Sequence, residues 1–329
     1  MNASGFHSLL GQELQTYVDY KRALGRKFDT EARALDLLDR FLINRTITDL
    51  GALTPALIDA FLGSRPRPKP RSFNHLLGVI RGFFDWMVAQ QRSPNSPVRT
   101  EARRCPRQPR PFLFTPEQFR QLLAFAARLP DDARARHRAA VYSLIFSLLY
   151  GLGLRVGEVT RLRYRDVDQS RRLLVIRETK FGKSRLVPFG PRMGEKITEY
   201  LHQRVDWYGP WSSEVPIFSF REAHTKPLRP ETISQTFHHL IPKLGLAIPP
   251  GIDPPRLHCL RHSFAVQTLL HWYRTDVDPG RRLFHLATFM GHASPESTAW
   301  YLTITDELLD EANRRFEHFA ARISQETSS

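Results

Sequence analysis

The sequence predicts a mainly α-helical fold with a small β-sheet, an α+β class, divided between two domains. Apolar residues recur at spacings of three and four along most of the 329 residues, which is typical of amphipathic helices. Two short runs, 173–177 and 185–188, are apolar and flank a turn, as the strands of a hairpin do. Residues 93–111 are dense in proline and arginine, so we expect a linker there between the two domains.

The first domain, residues 1–92, is expected to be all helical. Helical periodicity covers 8–45 and 72–90. Between these regions Thr54 and Pro55 have the pattern of an N-cap followed by proline at the first helical position. A chain of 329 residues is long enough for two domains of ordinary size.

One segment of the first domain alternates proline with basic residues. Because proline disrupts helices, the chain from Arg65 to Arg71 is expected to be extended. It is either a solvated loop or a loop that contacts phosphates, and the sequence leaves both interpretations open. The residues that would make these DNA contacts are Arg65, Arg67, Lys69 and Arg71.

The second domain, residues 112–329, begins with a capping box in which Thr115 is the N-cap and Gln118 lies three residues later. The two predicted strands form a hairpin whose turn spans 181–184. The remaining periodicity predicts helices over about 116–128, 133–150, 191–206, 230–244, 258–272, 282–290, 295–302 and 306–322.

The charge balance narrows the classes of partner. Lys and Arg number 48 against 33 Asp and Glu, which gives a net charge of +15 and a pI near 10.3. An excess of this size, rich in arginine, favours binding to nucleic acid over a basic surface that only aids solubility.

The sequence favours a cytoplasmic protein. It has only two cysteines, Cys105 and Cys259, so no disulfide framework is predicted. The N-terminus lacks the pattern of a secretion signal, and no run of about 18 apolar residues exists that could span a membrane.

Three polar clusters carry the candidate chemistry, and the first surrounds Arg155. This arginine follows a Gly-Leu-Gly-Leu turn, and Glu158 lies one helical turn after it. The carboxylate could orient the guanidinium, although the pair taken alone is more typical of a surface ion pair of small worth.

The second cluster places His258, Arg261 and His262 on one face of a predicted helix, at positions i, i+3 and i+4. It could be a solvated basic face, and His262 could be a packed core residue. Zinc binding is disfavoured, because the metalloprotease pattern has glutamate directly after the first histidine and this chain has Cys259.

The third cluster lies near the C-terminus, where Tyr301 follows His292 by nine residues. A helix that begins near Ser294 would let both side chains face one space, with Trp300 buried beside them. A further basic group, Lys180, lies at the end of the first strand. A hairpin tip with Lys180, Lys183 and Arg185 is either simply exposed or enters a DNA groove.

Together these residues suit phosphoryl transfer from DNA to a tyrosine. Two arginines and a histidine donor would neutralise the non-bridging oxygens of the phosphate. Tyr301 would be the nucleophile and must lose its proton to a base. Lys180 would protonate the departing 5′ oxygen. No metal and no cofactor is expected, because cationic side chains supply the charge.

In this order the motifs resemble those of the tyrosine recombinase (phage integrase) family, and the resemblance covers nearly the whole chain. It implies a SAM-like helical core-binding domain, the basic linker, and a catalytic domain with a C-terminal helix. The catalytic set that it implies is Arg155, Lys180, His258, Arg261, His292 and the nucleophile Tyr301, supported by Glu158 and His262.

The resemblance also implies an activity. Such enzymes cut one strand of each duplex, form a 3′-phosphotyrosine and pass through a Holliday junction, typically in a DNA-bound tetramer without metal or ATP. For this chain we therefore expect duplex DNA with specific recombination sites as partner, a mobile element as the source, and a location in the bacterial cytoplasm on the nucleoid. Accessory recombinases or DNA-bending proteins are possible further partners.

Two alternative functions and one structural question stay open at this point. The protein could be a type IB topoisomerase, which uses a similar tyrosine and basic residues, or a non-catalytic protein that only occupies DNA sites. The apolar stripe of the last helix could pack within the chain or, as the family suggests, dock onto a neighbouring protomer. That stripe consists of Leu308, Leu309, Ala312, Phe316, Phe319 and Ile323.

Overall fold

The chain forms two compact units, Met1–Gln108 and Pro109–Ser329, and the division falls inside the stretch that the sequence marks as a linker. Each unit has its own hydrophobic core. The computed structural model describes residues 5–106, 109–177, 184–210, 212–220, 226–275, 277–292, 294–303 and 306–326.

The first unit is helical, as predicted. Its helix α4 packs against α1 and α2, and the apolar faces of the helices meet in a core that includes Leu35, Phe61 and Phe83. The predicted helical region 8–45 is interrupted where Gly25 adopts a positive φ of 77°. The helices are α1 (Gly11–Ala23), α2 (Asp29–Asn44), α3 (Pro55–Gly63) and α4 (Pro70–Ala89).

The alternating proline segment is only partly extended. The expectation that all of Arg65 to Arg71 lies outside a helix is wrong, because α4 begins at Pro70 and includes Arg71. Proline is tolerated there because the first helical position needs no N–H donor.

The start of the predicted linker packs on the first unit. Val98 is buried, the Arg81 guanidinium donates to the Thr100 carbonyl at 2.5 Å, and Asn74 exchanges hydrogen bonds with the backbone of Arg103 at 2.7 Å. These contacts hold the chain to about residue 103 against α4.

In the second unit α6 lies at the centre and packs against α5, α8 and α10. The predicted capping box is confirmed, since Thr115 and Gln118 each accept a hydrogen bond from the other's backbone N–H. The helices are α5 (Pro116–Ala126), α6 (Arg138–Gly151), α7 (Val156–Arg161), α8 (Pro191–Tyr208), α9 (Pro230–Leu240), α10 (Cys259–Arg274), α11 (Pro279–Met290), α12 (Glu296–Ala299) and α13 (Asp306–Glu326).

A small antiparallel sheet has the order β1 (Val167–Asp168), β2 (Leu173–Ile176) and β3 (Arg185–Pro188). The predicted pairing of β2 with β3 is confirmed, and its register pairs Ile176 with Arg185. Residues 181–183 of the predicted turn lie outside the described residues. Strand β1 was not predicted, because two residues are too few to show an alternating pattern. The α+β class is confirmed.

The described part of the chain also bears on the membrane and cysteine predictions. None of its helices combines the length and apolar content that crossing a bilayer requires. Cys105 is exposed and Cys259 is buried, and both are free thiols.

Candidate active site

The site begins at the turn between α6 and α7. Gly153 has a φ of 58°, and an added Cβ would overlap the ring of Phe264, so glycine is required there. The turn aims the Gly153 carbonyl at Arg261, which donates to it through Nη1. Two residues later Arg155 occupies the N-cap position of α7.

Glu158 is a buried anion at the start of α7, with only 2% of its side chain exposed. Its carboxylate accepts the backbone N–H and the Nη1 of Arg155, each at 2.9 Å. It also accepts Nη1 and Nη2 of Arg185 on its two oxygens, both at 2.9 Å. Burial alone would raise the pKa of Glu158, but the hydrogen bonds and charge of Arg185, with Arg155, lower it to about 2. The surface ion pair that the residues alone favoured is therefore wrong.

Arg261 is the most deeply buried cation of the site. It lies in the first turn of α10 with 1% of its surface exposed. Besides the Gly153 carbonyl, it donates through Nη2 to the Met290 carbonyl at 2.7 Å. Burial and then repulsion from Arg155 lower the pKa of Arg261 to about 9, so the guanidinium stays charged at neutral pH.

Three arginines meet at the C-terminal end of α11, and we call this group the arginine clamp. Arg185 Nε donates to the Phe289 carbonyl at 2.8 Å, Arg261 to Met290, and Arg155 Nη2 to Gly291 at 2.7 Å. The last carbonyls of a helix lack intrahelical partners and carry its negative dipole end, so they suit cations. The clamp consists of Arg155, Arg185, Arg261 and the carbonyls of 289–291.

Gly291 allows the clamp to close. It ends α11 in the left-handed conformation, with a φ of 68°. A Cβ at this position would lie 2.7 Å from Arg185 Nη1. Glycine is therefore needed both for the backbone and for the close approach of the guanidinium.

The next residue, His292, is held by a buried hydroxyl. Its Nδ1 lies 2.6 Å from Oγ1 of Thr298, which is fully buried. The ring stacks with that of Tyr301, with a centroid separation of 6.2 Å and an angle of 13°. Burial and then Arg261 lower the pKa of His292 to about 4, so the ring is neutral at pH 7.

Tyr301 lies in a 3₁₀ turn, Trp300–Thr303, with 3% of its surface exposed. Its hydroxyl is 2.8 Å from Nδ1 of His262. Burial raises the pKa of Tyr301, and the charges of Arg261 and Arg155 oppose that rise. Burial and then His258 lower the pKa of His262 to about 3. Both groups are therefore neutral at pH 7, and with the His262 proton on Nε2 the phenol donates to Nδ1.

His258 completes the group. Its ring meets that of His262 nearly at right angles, with centroids 4.7 Å apart. Unlike His262 it keeps an exposed face. Partial loss of hydration and then repulsion by Arg261 and Arg155 lower the pKa of His258. An imidazole at the edge of the cluster is available to a ligand that arrives from solvent.

The structure therefore gathers seven of the predicted residues, while two others lie outside the described residues. Those two are Lys180 and Lys183. The seven that come together are Arg155, Glu158, His258, Arg261, His262, His292 and Tyr301.

Two expectations about neighbouring side chains are wrong. Trp300 is 42% exposed rather than buried, because successive side chains of the 3₁₀ turn point in different directions and Tyr301 takes the inward one. Arg185 was expected at the tip of the hairpin, either exposed or in a DNA groove, but it lies at the start of β3 with only 9% of its side chain exposed and is bonded to Glu158 and to Phe289. Alternation in β3 was the missed signal, since Arg185 shares the inward face with the buried Val187.

The remaining predicted basic residues lie in the first unit. Arg65 and Arg67 are half-buried, whereas Lys69 and Arg71 are exposed. Arg67 Nη1 donates to Ser72 Oγ at 3.0 Å. In the described ranges, no three His, Cys, Asp or Glu side chains form a group that could hold a metal ion.

Comparisons with known proteins identify sequences that are related to this chain. The model of the phage integrase family matches residues 113–307, more than half of the chain. A putative integrase/recombinase, y4rB of Sinorhizobium fredii (strain NBRC 101917 / NGR234), is 33% identical over 311 residues, covering 94% of this chain and 98% of that protein. The tyrosine recombinase XerA of Thermococcus onnurineus (strain NA1) is 30% identical over 74% of this chain and 75% of its own length.

Solved structures show the same fold. The Tn1549 transposon integrase in complex with transposon right end DNA aligns with a TM-score of 0.65 and 16% identity, over 94% of this chain and 99% of that one. A λ integrase tetramer bound to a Holliday junction aligns with a TM-score of 0.59 and 21% identity, over 87% of this chain and 78% of that one.

Proposed function

We propose, from the premise that this chain belongs to the phage integrase family and is a tyrosine-type site-specific recombinase, that Tyr301 cuts and rejoins DNA through a 3′-phosphotyrosine. One observation carries this proposal. The Tyr301 hydroxyl lies 2.8 Å from a neutral imidazole, in the same cluster as two catalytic-type arginines. A buried phenol with a proton acceptor and two cations beside it is equipped to attack phosphorus.

The arginines would neutralise the phosphate. Arg155 keeps 34% of its side chain exposed, so part of its guanidinium can meet a DNA phosphate while Glu158 and Gly291 hold the rest. The Arg261 guanidinium is fixed by hydrogen bonds to the Gly153 and Met290 carbonyls. Because it is buried, little water screens the attraction between its charge and the phosphate. Donors fixed before the reaction stabilise the pentavalent transition state without rearranging.

Proton transfer would begin at His262. Part of the low pKa of His262 comes from the charge of Arg261. A DNA phosphate at the arginines brings a negative charge that offsets this repulsion, so the imidazole becomes a better acceptor as DNA binds. The phenolic oxygen then forms a bond to phosphorus, and the bond from phosphorus to the 5′ oxygen breaks.

The departing 5′ oxygen takes up a proton, for which Lys180 remains our candidate donor. Rejoining reverses these steps. A 5′ hydroxyl attacks the phosphotyrosine, Tyr301 leaves, and its oxygen regains a proton. Each step breaks one phosphorus–oxygen ester bond and forms another, so the cycle needs no external energy source. No step as written requires a metal ion or cofactor, because the charged side chains stabilise the phosphate.

We also propose a DNA partner, a source and an assembly for this protein. A net charge of +15 favours duplex DNA as the partner, with strong salt dependence. The transposon integrase and the tetramer on a Holliday junction, which share this fold, support a mobile element as the source and a tetrameric synapse. The first domain, 1–92, would bind DNA through Arg65, Arg67, Lys69 and Arg71.

Covalent trapping tests the proposal. The full chain is incubated with a pool of nicked duplexes of randomised sequence, in which the cleaved end diffuses away and the adduct accumulates. We expect a protein–DNA adduct that survives denaturant and is absent for Tyr301→Phe.

Tyr200→Phe is the matched control, because it also removes one hydroxyl from a buried tyrosine of the second unit that bonds a backbone carbonyl. This variant should form the adduct. An adduct that persists in Tyr301→Phe, or no adduct from the wild-type chain on any sequence in the pool, would overturn the proposal.

A further inference from the structure

We propose that Arg185 is a positioning residue for cleavage, which acts through Glu158 to set the orientation of Arg155 and does not contact DNA. This inference rests on the proposed function. Three features of the structure lead to it: the bonding of Glu158, the carbonyls at the end of α11, and the place of Arg185 in the hairpin.

The first feature is the sharing of one carboxylate by two guanidinium groups. Arg185 binds both oxygens of Glu158 at 2.9 Å, which fixes the plane of the carboxylate. Arg155 Nη1 then meets Oε1 from the remaining side at 2.9 Å. If Arg185 were absent, Glu158 could rotate and take Arg155 with it.

The bonding of Glu158 is also incomplete without Arg185. Its side chain is almost fully buried, and a buried carboxylate needs several donors to stay ionised. The hydrogen bonds and charge of Arg185 are the largest of the influences that oppose burial and hold the pKa of Glu158 near 2. Arg155 alone would supply one guanidinium contact and one backbone N–H.

The second feature is the contact with α11. Arg185 Nε donates to the Phe289 carbonyl, next to the carbonyls that receive Arg261 and Arg155. The Arg185 guanidinium also lies so close to Gly291 that no Cβ would fit. The same side chain therefore supports the segment that leads into His292.

The third feature is the position of Arg185 in the sheet. Arg185 pairs with Ile176 in the last register pair of β2 and β3, beyond which the chain runs through 177–184. That stretch contains Lys180, our candidate acid. By bonding to Glu158 and to the Phe289 carbonyl, the Arg185 side chain fastens the start of β3 to the elements that carry Arg155 and His292.

The bonding pattern requires arginine and not only a positive charge. One guanidinium supplies two parallel N–H groups to Glu158 and a third, Nε–H, to Phe289. A lysine ammonium is a single compact donor group that cannot reproduce this planar fork. Lysine should therefore not restore the function, although it keeps the charge.

Single-turnover cleavage as a function of DNA concentration tests the proposal, with the nicked substrate recovered from the trapping experiment. We expect Arg185→Gln and Arg185→Lys to lower the saturating cleavage rate about 100-fold, since a small misplacement of a catalytic group has effects of that order. The half-saturating DNA concentration and its salt dependence should not change. A residue that contacted a phosphate would instead weaken binding and reduce the salt slope by about one.

Non-additivity gives a second readout that general damage to the fold would not produce. If Arg185 acts mainly through Arg155, the rate loss of the double variant Arg155→Ala with Arg185→Gln should be far smaller than the product of the two single losses. Arg171→Gln is the matched control, because it changes an exposed arginine of the same sheet region that forms an ion pair with nearby Asp168. It should cleave at the wild-type rate.

The outcomes separate the two proposals. Failure of the wild-type chain to form an adduct defeats the proposed function. A wild-type adduct with a normal saturating rate for Arg185→Gln, with full rescue by lysine, or with a reduced salt slope, overturns only the role of Arg185. If Arg185→Gln does not fold, as judged by its thermal transition, Arg185→Lys keeps the charge near Glu158 and decides the question.

Discussion

The two units of the chain use arginine in different ways. In the first unit Arg65 and Arg67 are half-buried and lie in a proline-rich segment without strands. In the second unit the arginine clamp bonds to a buried carboxylate and to three consecutive carbonyls at the C-terminal end of α11, those of 289–291. Net charge therefore indicates only that the protein has a polyanionic partner. The burial and hydrogen bonding of each arginine indicate whether its guanidinium is free to bind that partner or instead holds the active site together. Breaking each region separately should therefore affect different steps.

The largest effect is expected in the clamp, for Arg261→Lys. Lysine cannot donate to the Gly153 and Met290 carbonyls with the geometry of a guanidinium, so a fixed donor at the phosphate is lost. We expect the single-turnover cleavage rate to fall about 1000-fold. Arg256→Lys, at an exposed position before α10, is the control and should cleave normally. A near-normal rate for Arg261→Lys would show that Arg261 does not act on the phosphate.

Replacing a glycine with alanine should have opposite effects on stability in the two units. Gly291→Ala forces a left-handed residue to carry a Cβ and pushes it against Arg185, so we expect a loss of about 2 kcal/mol in stability and slower cleavage. Gly78→Ala, within α4, meets no atom within 4 Å and should stabilise the chain by up to about 1 kcal/mol. Thermal unfolding of the full chain measures both. Equal shifts for the two variants would contradict the tight approach at Gly291.

Acid should destabilise the active-site cluster through His262. Its pKa is about 3 when folded and 6.5 when unfolded, so between these values only the unfolded chain takes up the proton. The neutral His262 ring therefore makes its full contribution to the free energy of unfolding above pH 6.5. As the pH falls below 6.5, the free energy of unfolding decreases by up to about 1.4 kcal/mol per pH unit.

His262→Gln should make that loss shallower between pH 6.5 and 4.5, a window above the unfolded pKa of Glu158. Urea denaturation of both chains at several pH values measures the difference. His239→Gln is the control, because it changes an exposed histidine of α9. Parallel pH profiles for wild type and His262→Gln would mean that His262 is not held neutral by the fold.

The smallest effect is expected in the first unit. Arg65→Ala with Arg67→Ala should weaken DNA binding a few-fold and reduce the salt slope by about one for each phosphate that is no longer neutralised. The cleavage defect should disappear when the DNA concentration is raised. Binding isotherms at several salt concentrations test this. A lower rate at saturating DNA would place these arginines in the chemistry and remove the contrast between the units.

Local pattern predicted much of this molecule. The spacing of His258, Arg261 and His262 placed them on one helix, and the capping box at Thr115 fixed the start of α5. These signals lie within one or two turns of chain, where periodicity and capping act directly. The start of α4 at Pro70 was missed because proline was given its usual role as a helix breaker.

The clamp could not be predicted in the same way. Arg155 and Gly291 are separated by 136 positions, and Arg185 and Phe289 by 104. Only tertiary packing brings them together, so a glutamate that resembles a surface partner in the sequence becomes the buried centre of a network. Arg185 did leave a local sign, because its alternation with Val187 placed it on the buried face of β3.

In the proposed reaction the Tyr301 hydroxyl oxygen becomes bonded to a DNA phosphorus. The most direct measurement is mass spectrometry of the trapped adduct after digestion with trypsin and nuclease. We predict that the tryptic peptide 283–314 carries nucleotide mass, that fragmentation assigns it to Tyr301, and that the link is to a 3′ phosphate. Nucleotide mass on any other residue, or a link to a 5′ phosphate, would rule out Tyr301 as the nucleophile that forms a 3′-phosphotyrosine.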